Sequence, residues 1–204
     1  MLLERDEAQL VLVDYQQRLM PAIHGQADVL AQAVRLGRAA QLLGVPVWGT
    51  EQNPQKLGDS VPQVKALLGS TLAKMHFNAC DAGLAEALRP PAAAPQGAPQ
   101  GASARSLPKR FRQAEPAPER NSVVLAGCEA HVCVLQTALG LLQADFDVWV
   151  VTDACGSRTE RNRDAAFDRL AAAGAELVTT EMVLFEWLQS AEHPRFKDVM
   201  ALIK

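Results

Sequence analysis

No apolar run in this 204-residue sequence approaches the length that spans a bilayer. The opening stretch MLLERDEAQLVLVD puts acids where a secretory leader needs its apolar core, so a cytoplasmic address is expected. Charge of one sign is equally scarce. A formal net charge of -3 gives no general attraction to nucleic acid or to an anionic membrane, and neither is expected as a partner. Cysteine is sparse too: the four, at 80, 128, 133 and 155, show neither paired zinc spacing nor the density of a secreted scaffold, which points to reduced thiols. Also missing are G-x-G-x-x-G, a Walker A loop and H-E-x-x-H, while Gly37, Gly44 and Gly49 make no phosphate cradle. Dinucleotide, nucleotide and zinc-protease chemistry therefore have no foothold.

What is present suits a single domain over residues 1–204, long enough to bury a substantial core, with 49% hydrophobic and 21% charged residues. Gln9 to Val13 reads as a central parallel strand ending in Asp14. Gln26 to Leu43 carries apolar residues at helical spacing and stops at Gly44; Val45 to Trp48 follows as a second strand. Thr50 to Gly58 reads as a loop, Thr71 to Met75 as a third strand and Cys80 to Leu88 as a short helix. Residues 90–118 hold seven of the twelve prolines and a low-complexity Pro/Ala tract, which marks an insertion, either a solvated loop or a lid. After it come a strand near Val123 to Ala126, a helix through Leu142, a strand Asp147 to Thr152, a helix Arg161 to Ala173 and a sixth strand Glu176 to Thr179. Helical segments Thr180 to Leu188 and Phe196 to Ile203 close the chain. The alternation predicts an α/β fold: a three-layer α/β/α domain with a doubly wound, six-stranded, mainly parallel sheet.

The organising stretch is Asn121 to Leu142, where strand periodicity gives way to helical periodicity across Cys128 to His131. Cys133 falls in the first turn of that helix, near the positive end of its dipole, a position that favours thiolate. A buried inert thiol is the alternative, and is the reading taken for Cys80, Cys128 and Cys155. Asp14 is either a carboxylate delivered at the ligand-binding edge of the sheet or a turn and capping residue. Lys74, among apolar neighbours, is either a buried functional cation or an edge-strand lysine that discourages pairing between molecules. A Cys128, His131 and Cys133 metal site lacks a second cluster, and His131 lies two positions from Cys133, pointing elsewhere on a helix.

The run Gly127-Cys128-Glu129-Ala130-His131-Val132-Cys133-Val134, with Val13-Asp14-Tyr15-Gln16, Thr50-Glu51-Gln52-Asn53-Pro54, Lys74 and Asp153 to Arg158, resembles the isochorismatase-like cysteine hydrolases, in the isochorismatase domain-containing branch related to nicotinamidases. That resemblance covers most of the chain. It implies Cys133 as nucleophile, Asp14 as base and Lys74 as the cation between them, a catalytic triad for amidase chemistry through a thioester. It also implies an oxyanion hole of the Glu129 and Cys133 backbone N–H groups, a cis Cys128–Glu129 peptide and a homo-oligomer, a dimer or larger. Nicotinamidase-like members add an Asp-x-His pair and a further His for a divalent metal; this chain has none of these ligands, so no metal and no cofactor is expected. Gln16, Trp48, Phe77 and His131 are expected to line a pocket for a small-molecule substrate. The alternatives are a non-catalytic binding or assembly protein that keeps the fold, and a thiol redox sensor using Cys133 and Cys128.

Overall fold

Strand β1, Ala8–Val13, is buried along its whole length and pairs on both sides, as its unbroken apolar run requires of a central parallel strand. The structure, a computed structural model, describes residues 2–89 and 120–203. Around β1 lie β2 (Val47–Gln52), β3 (Ser70–Lys74), β4 (Ser122–Gly127), β5 (Asp147–Val151) and β6 (Glu176–Val178), in the order β3-β2-β1-β4-β5-β6 with every pair parallel. The order reverses between β1 and β4. That reversal is the topological switch point, outside whose strand C-termini an open α/β sheet leaves a crevice.

Helix α1 (Gln26–Leu43) has the predicted limits and ends on Gly44, whose φ of 74° admits the left-handed cap. It packs with α7 (Thr180–Leu188) and α8 (Phe196–Ile203) as one layer. The other layer holds α4 (Leu84–Leu88), α5 (Leu135–Gln143) and α6 (Glu160–Ala172). Two one-turn helices, α2 (Pro54–Leu57) and α3 (Pro62–Lys65), follow β2. No helix among the described residues is long and apolar enough to cross a membrane.

Two segments differ from expectation by more than one residue at an end. Strand β2 runs Val47–Gln52 rather than Val45 to Trp48, so Thr50 to Gln52 are strand and not loop. Pairing outweighs their polar composition, with Val13 opposite Thr50 and Lys74 opposite Gln52. The Cys80 to Leu88 segment is broken by Gly83, at φ 91°, into a 3-10 turn Ala79–Ala82 and α4. The predicted insertion at 90–118 lies outside the described residues. Its flanks are held at the N-terminal edge of the sheet, where Gln9 Nε2 donates to the carbonyls of Leu88 (3.1 Å) and Arg120 (2.8 Å).

At the other edge, β4 ends against β1 with no room to spare. A Cβ added at Gly127 would lie 2.4 Å from the Val13 carbonyl oxygen, a backbone atom that cannot swing away. Gly127→Ala is therefore expected to lower stability by about 1–3 kcal/mol through overpacking, read as a fall in the urea midpoint at unchanged m-value.

Candidate active site

Asp14 leaves β1 with φ 53°, a left-handed conformation that aspartate tolerates better than most residues, and the turn brings its carboxylate back over the sheet edge. Lys74 closes β3 two strands away and reaches across β2. Its Nζ donates to Asp14 Oδ2 at 2.7 Å, both side chains being 0% exposed. A buried pair of this kind persists only where further polar groups complete it. Thr50 Oγ1 donates to Asp14 Oδ1 (2.7 Å), and Gln52 Oε1 accepts from Lys74 Nζ (2.7 Å).

Cys133 enters from the other side of the switch point. Beyond β4 the Cys128–Glu129 peptide is cis, and Ala130–Val134 winds as a π-helical turn before α5 begins. Cys133 is 5% exposed, and Asp14 and Lys74 are the charged groups that act on its thiol. They act chiefly by charge, with side-chain hydrogen bonding to the sulfur a smaller contribution. Among the described residues, neither the Glu129 nor the Cys133 N–H is donated to an acceptor outside this turn. The Glu129 carbonyl accepts the N–H groups of Val132 (3.0 Å) and Val134 (3.2 Å), which holds the turn together.

The expected thiolate is not the resting species. Burial, and after it the Asp14 charge, push the Cys133 thiol up to about 12, outweighing the opposing pull of Lys74 and any helix-terminus effect. Cys155 is likewise raised to about 12 and Cys80 to about 11, both mainly by burial, and burial carries Cys128 well above its ordinary range. At rest Cys133 is a neutral thiol beside an ion pair, so sulfur becomes a nucleophile only as its proton leaves.

The predicted pocket residues divide. Gln16 is fully buried and lines nothing: its amide binds the Gln52 backbone and the Gly58 carbonyl. Trp48 pairs in register with Val11, three residues before Asp14, and packs on the core, so it is set away from the site. Phe77 is 50% exposed on the loop after β3, where its carbonyl accepts from Thr137 Oγ1 (3.4 Å), one turn past Cys133. The ring of His131 turns toward Ser157, with Nδ1 3.0 Å from Oγ. The Glu129 carboxylate accepts from Nε (2.9 Å) and N (3.2 Å) of Arg158. Thr50 and Gln52, which composition reads as loop, are site residues beyond the expected set, and the run Thr50-Glu51-Gln52 is the signal for them in the sequence. Grooves of about 450 and 400 Å³ open elsewhere, along α1 and α8 beside Arg38 and Leu202.

Comparison with known proteins gives the same picture of the fold. Isochorismatase domain-containing protein 1 of Danio rerio is 34% identical over 191 residues, covering 94% of this chain, which spans only 59% of that relative's length. MAR1 ribonuclease from Caenorhabditis elegans superposes with a TM-score of 0.82 at 30% identity, covering 100% of this chain and 92% of that one. The YcaC gene product of Escherichia coli, described as an octameric hydrolase of unknown specificity, gives a TM-score of 0.74 at 25% identity, covering 98% and 95%. Residues 8–182 match the isochorismatase domain, and the chain belongs to that family.

Proposed function

We propose that this chain is a metal-independent cysteine hydrolase of a small amide or related C–N bond, with Cys133 as nucleophile, Asp14 as general base and acid, and Lys74 as the fixed cation between them. The observation that carries this reading is the fully buried Asp14–Lys74 pair against the Cys133 thiol at the switch point. Sulfur attacks the carbonyl carbon while its proton passes to Asp14. Negative charge thus moves from the carboxylate through the sulfur, beside the ammonium, to the carbonyl oxygen as the C–S bond forms and the C=O π bond opens. The tetrahedral oxyanion is held by the backbone N–H groups of Glu129 and Cys133. On collapse the C–N bond breaks, protonated Asp14 gives its proton to the departing nitrogen, and a thioester remains. Asp14 then deprotonates a water that cleaves the thioester and regenerates the thiol, giving one carboxylic acid and one amine per amide and water.

No metal step is invoked: the acceptor beside Lys74 is a neutral amide, and no group of three His, Cys, Asp or Glu among the described residues could hold an ion. The near closure of Cys133 favours a small substrate. A redox-sensing role is disfavoured because sensor thiols have low pKa values, whereas those of all four cysteines are raised. The ribonuclease name of the C. elegans relative makes RNA a substrate to test, but a net charge of -3 and a buried ion pair suit a polyanion poorly. With an octamer among its relatives, a homo-oligomer is the proposed assembly, and a cytoplasmic address remains the proposal.

The test is a hydrolysis screen of small amides, ureides and hydroxamates, with RNA alongside. Cys133→Ala is expected to lower turnover by about 10³ or more, and intact-mass spectra of the unaltered protein should show a thioester adduct. Turnover that survives Cys133→Ala would overturn the reading.

A further inference from the structure

We infer that Gln52, locked in place by Gln16, is a positioning residue that fixes the rotation of the Lys74 ammonium and so directs its remaining N–H at Cys133. The inference rests on the reading of Cys133 as nucleophile. An ammonium has three donors and, when buried, rotates to whichever acceptors surround it. Here Asp14 Oδ2 takes one and Gln52 Oε1 another, each at 2.7 Å. The third is the one left for the Cys133 thiol, on which Lys74 acts by charge and hydrogen bonding. None is left for substrate, which leaves oxyanion binding to backbone N–H groups.

The orientation of the Gln52 amide follows from its other end, since Nε2 donates to the Met75 carbonyl at 2.8 Å. A flip would set its NH2 group against the ammonium and its oxygen against a carbonyl. The backbone beneath it is fixed just as firmly. Because β1 turns away at Asp14, the backbone of Gln52 lacks a neighbouring strand on that side, and the side chain of Gln16 takes that place. Gln16 Oε1 accepts from Gln52 N (2.8 Å), and Gln16 Nε2 donates to Gln52 O (3.0 Å) and Gly58 O (2.6 Å). One amide thus imitates a strand peptide, satisfying groups that the Asp14 turn would otherwise orphan. Gln52 is also neutral, which reserves the ammonium charge for Asp14 and Cys133. A carboxylate there would add a negative charge to a site closed to solvent.

Alkylation of Cys133 by iodoacetamide tests this without a known substrate: sulfur displaces iodide and the thiol proton passes to Asp14. Rates are followed by peptide mass spectrometry across pH 6–10, alongside thermal melting. Gln52→Met is expected to slow labelling at pH 7.5 about tenfold, the loss of one charge-assisted hydrogen bond. Gln16→Met, which touches neither Lys74 nor Cys133, should slow it similarly, with the double variant no slower than Gln52→Met alone. Gln52→Glu, which keeps the length and a carbonyl oxygen and serves if Gln52→Met fails to fold, should lower the rate across the whole profile, because its added negative charge draws the ammonium away from Cys133. A merely structural role would lower the melting temperature and leave that profile in place. If Cys133 labels well above Cys80 in the unaltered protein, and loses this in Asp14→Asn, but ignores Gln52, the positioning inference is overturned and the hydrolase reading stands. If Cys133 labels no faster than Cys80, both fall.

Discussion

Asp14→Asn slows turnover of the best amide, and alkylation of Cys133, by about 10³–10⁴ at pH 7, the upper range for loss of a general base. The electrostatics alone point the other way. The Asp14 charge helps raise the Cys133 thiol to about 12, so removing it lowers that value and makes more free thiolate. A purely electrostatic Asp14 would therefore hold the enzyme back, and its loss would speed alkylation. The two roles predict opposite signs. With the thiol near 12, only about one molecule in 10⁵ carries free thiolate at pH 7, which is why a base must take the proton during attack. The pH dependence follows. In the unaltered protein the base takes the proton during attack, so the rate stays level through neutrality into mild alkali. In Asp14→Asn it climbs about tenfold per pH unit toward the thiol's own titration, since free thiolate is then the only nucleophile. Asparagine is the appropriate replacement because it also tolerates the left-handed turn at position 14, its one oxygen can still accept from Lys74, and its NH2 group can donate to the Thr50 hydroxyl. Faster alkylation in the variant would remove Asp14 from the base role.

How much of this was legible in the sequence depended on whether a residue's neighbours in the chain are also its neighbours in space. Helix α1 was read to the residue, since its apolar spacing and the terminal glycine act locally. The meeting of positions 14, 74 and 133 was reachable because each follows a strand, and in a doubly wound sheet the C-terminal ends of all strands share one edge. What stayed hidden was the polar end of β2. Thr50 to Gln52 lie beside Asn53 and Pro54, so composition reads them as loop, and only lateral pairing with β1 and β3 makes them strand. Gln16 was hidden for the same reason: its partners are 36 and 42 residues away. Trp48 was drawn into the pocket by moving the end of β2 too early. The charge state of Cys133 failed differently. A helix terminus can be read from sequence, but burial and a carboxylate delivered by another strand cannot, and these outweigh it.

Breaking the ion pair tests whether the buried charges serve the fold or the chemistry. Lys74→Met leaves a carboxylate at 0% exposure with no cation, a loss of about 3–5 kcal/mol for half a buried pair, seen as a fall of roughly 6–20 °C in melting temperature. Asp14→Asn strands the ammonium instead and costs less, because the amide oxygen still accepts its hydrogen bond. In the double variant Asp14→Asn/Lys74→Met neither charge remains, and two hydrophobic or neutral groups of similar volume occupy the space. Its melting temperature is expected to recover most of the loss, the residue being Gln52 Oε1, which then has no donor. Turnover is not expected to recover at all. Stability and activity thus separate, which a pair retained for folding would not allow. A double variant as unstable as Lys74→Met would make the pair a structural element, whereas one that is stable yet still hydrolyses amides would take the chemistry elsewhere. The expected combination, a stable protein with an inert Cys133, follows if burying two charges beside a neutral thiol is a cost borne for proton transfer: the fold holds an ammonium where sulfur will become negative, before any substrate arrives.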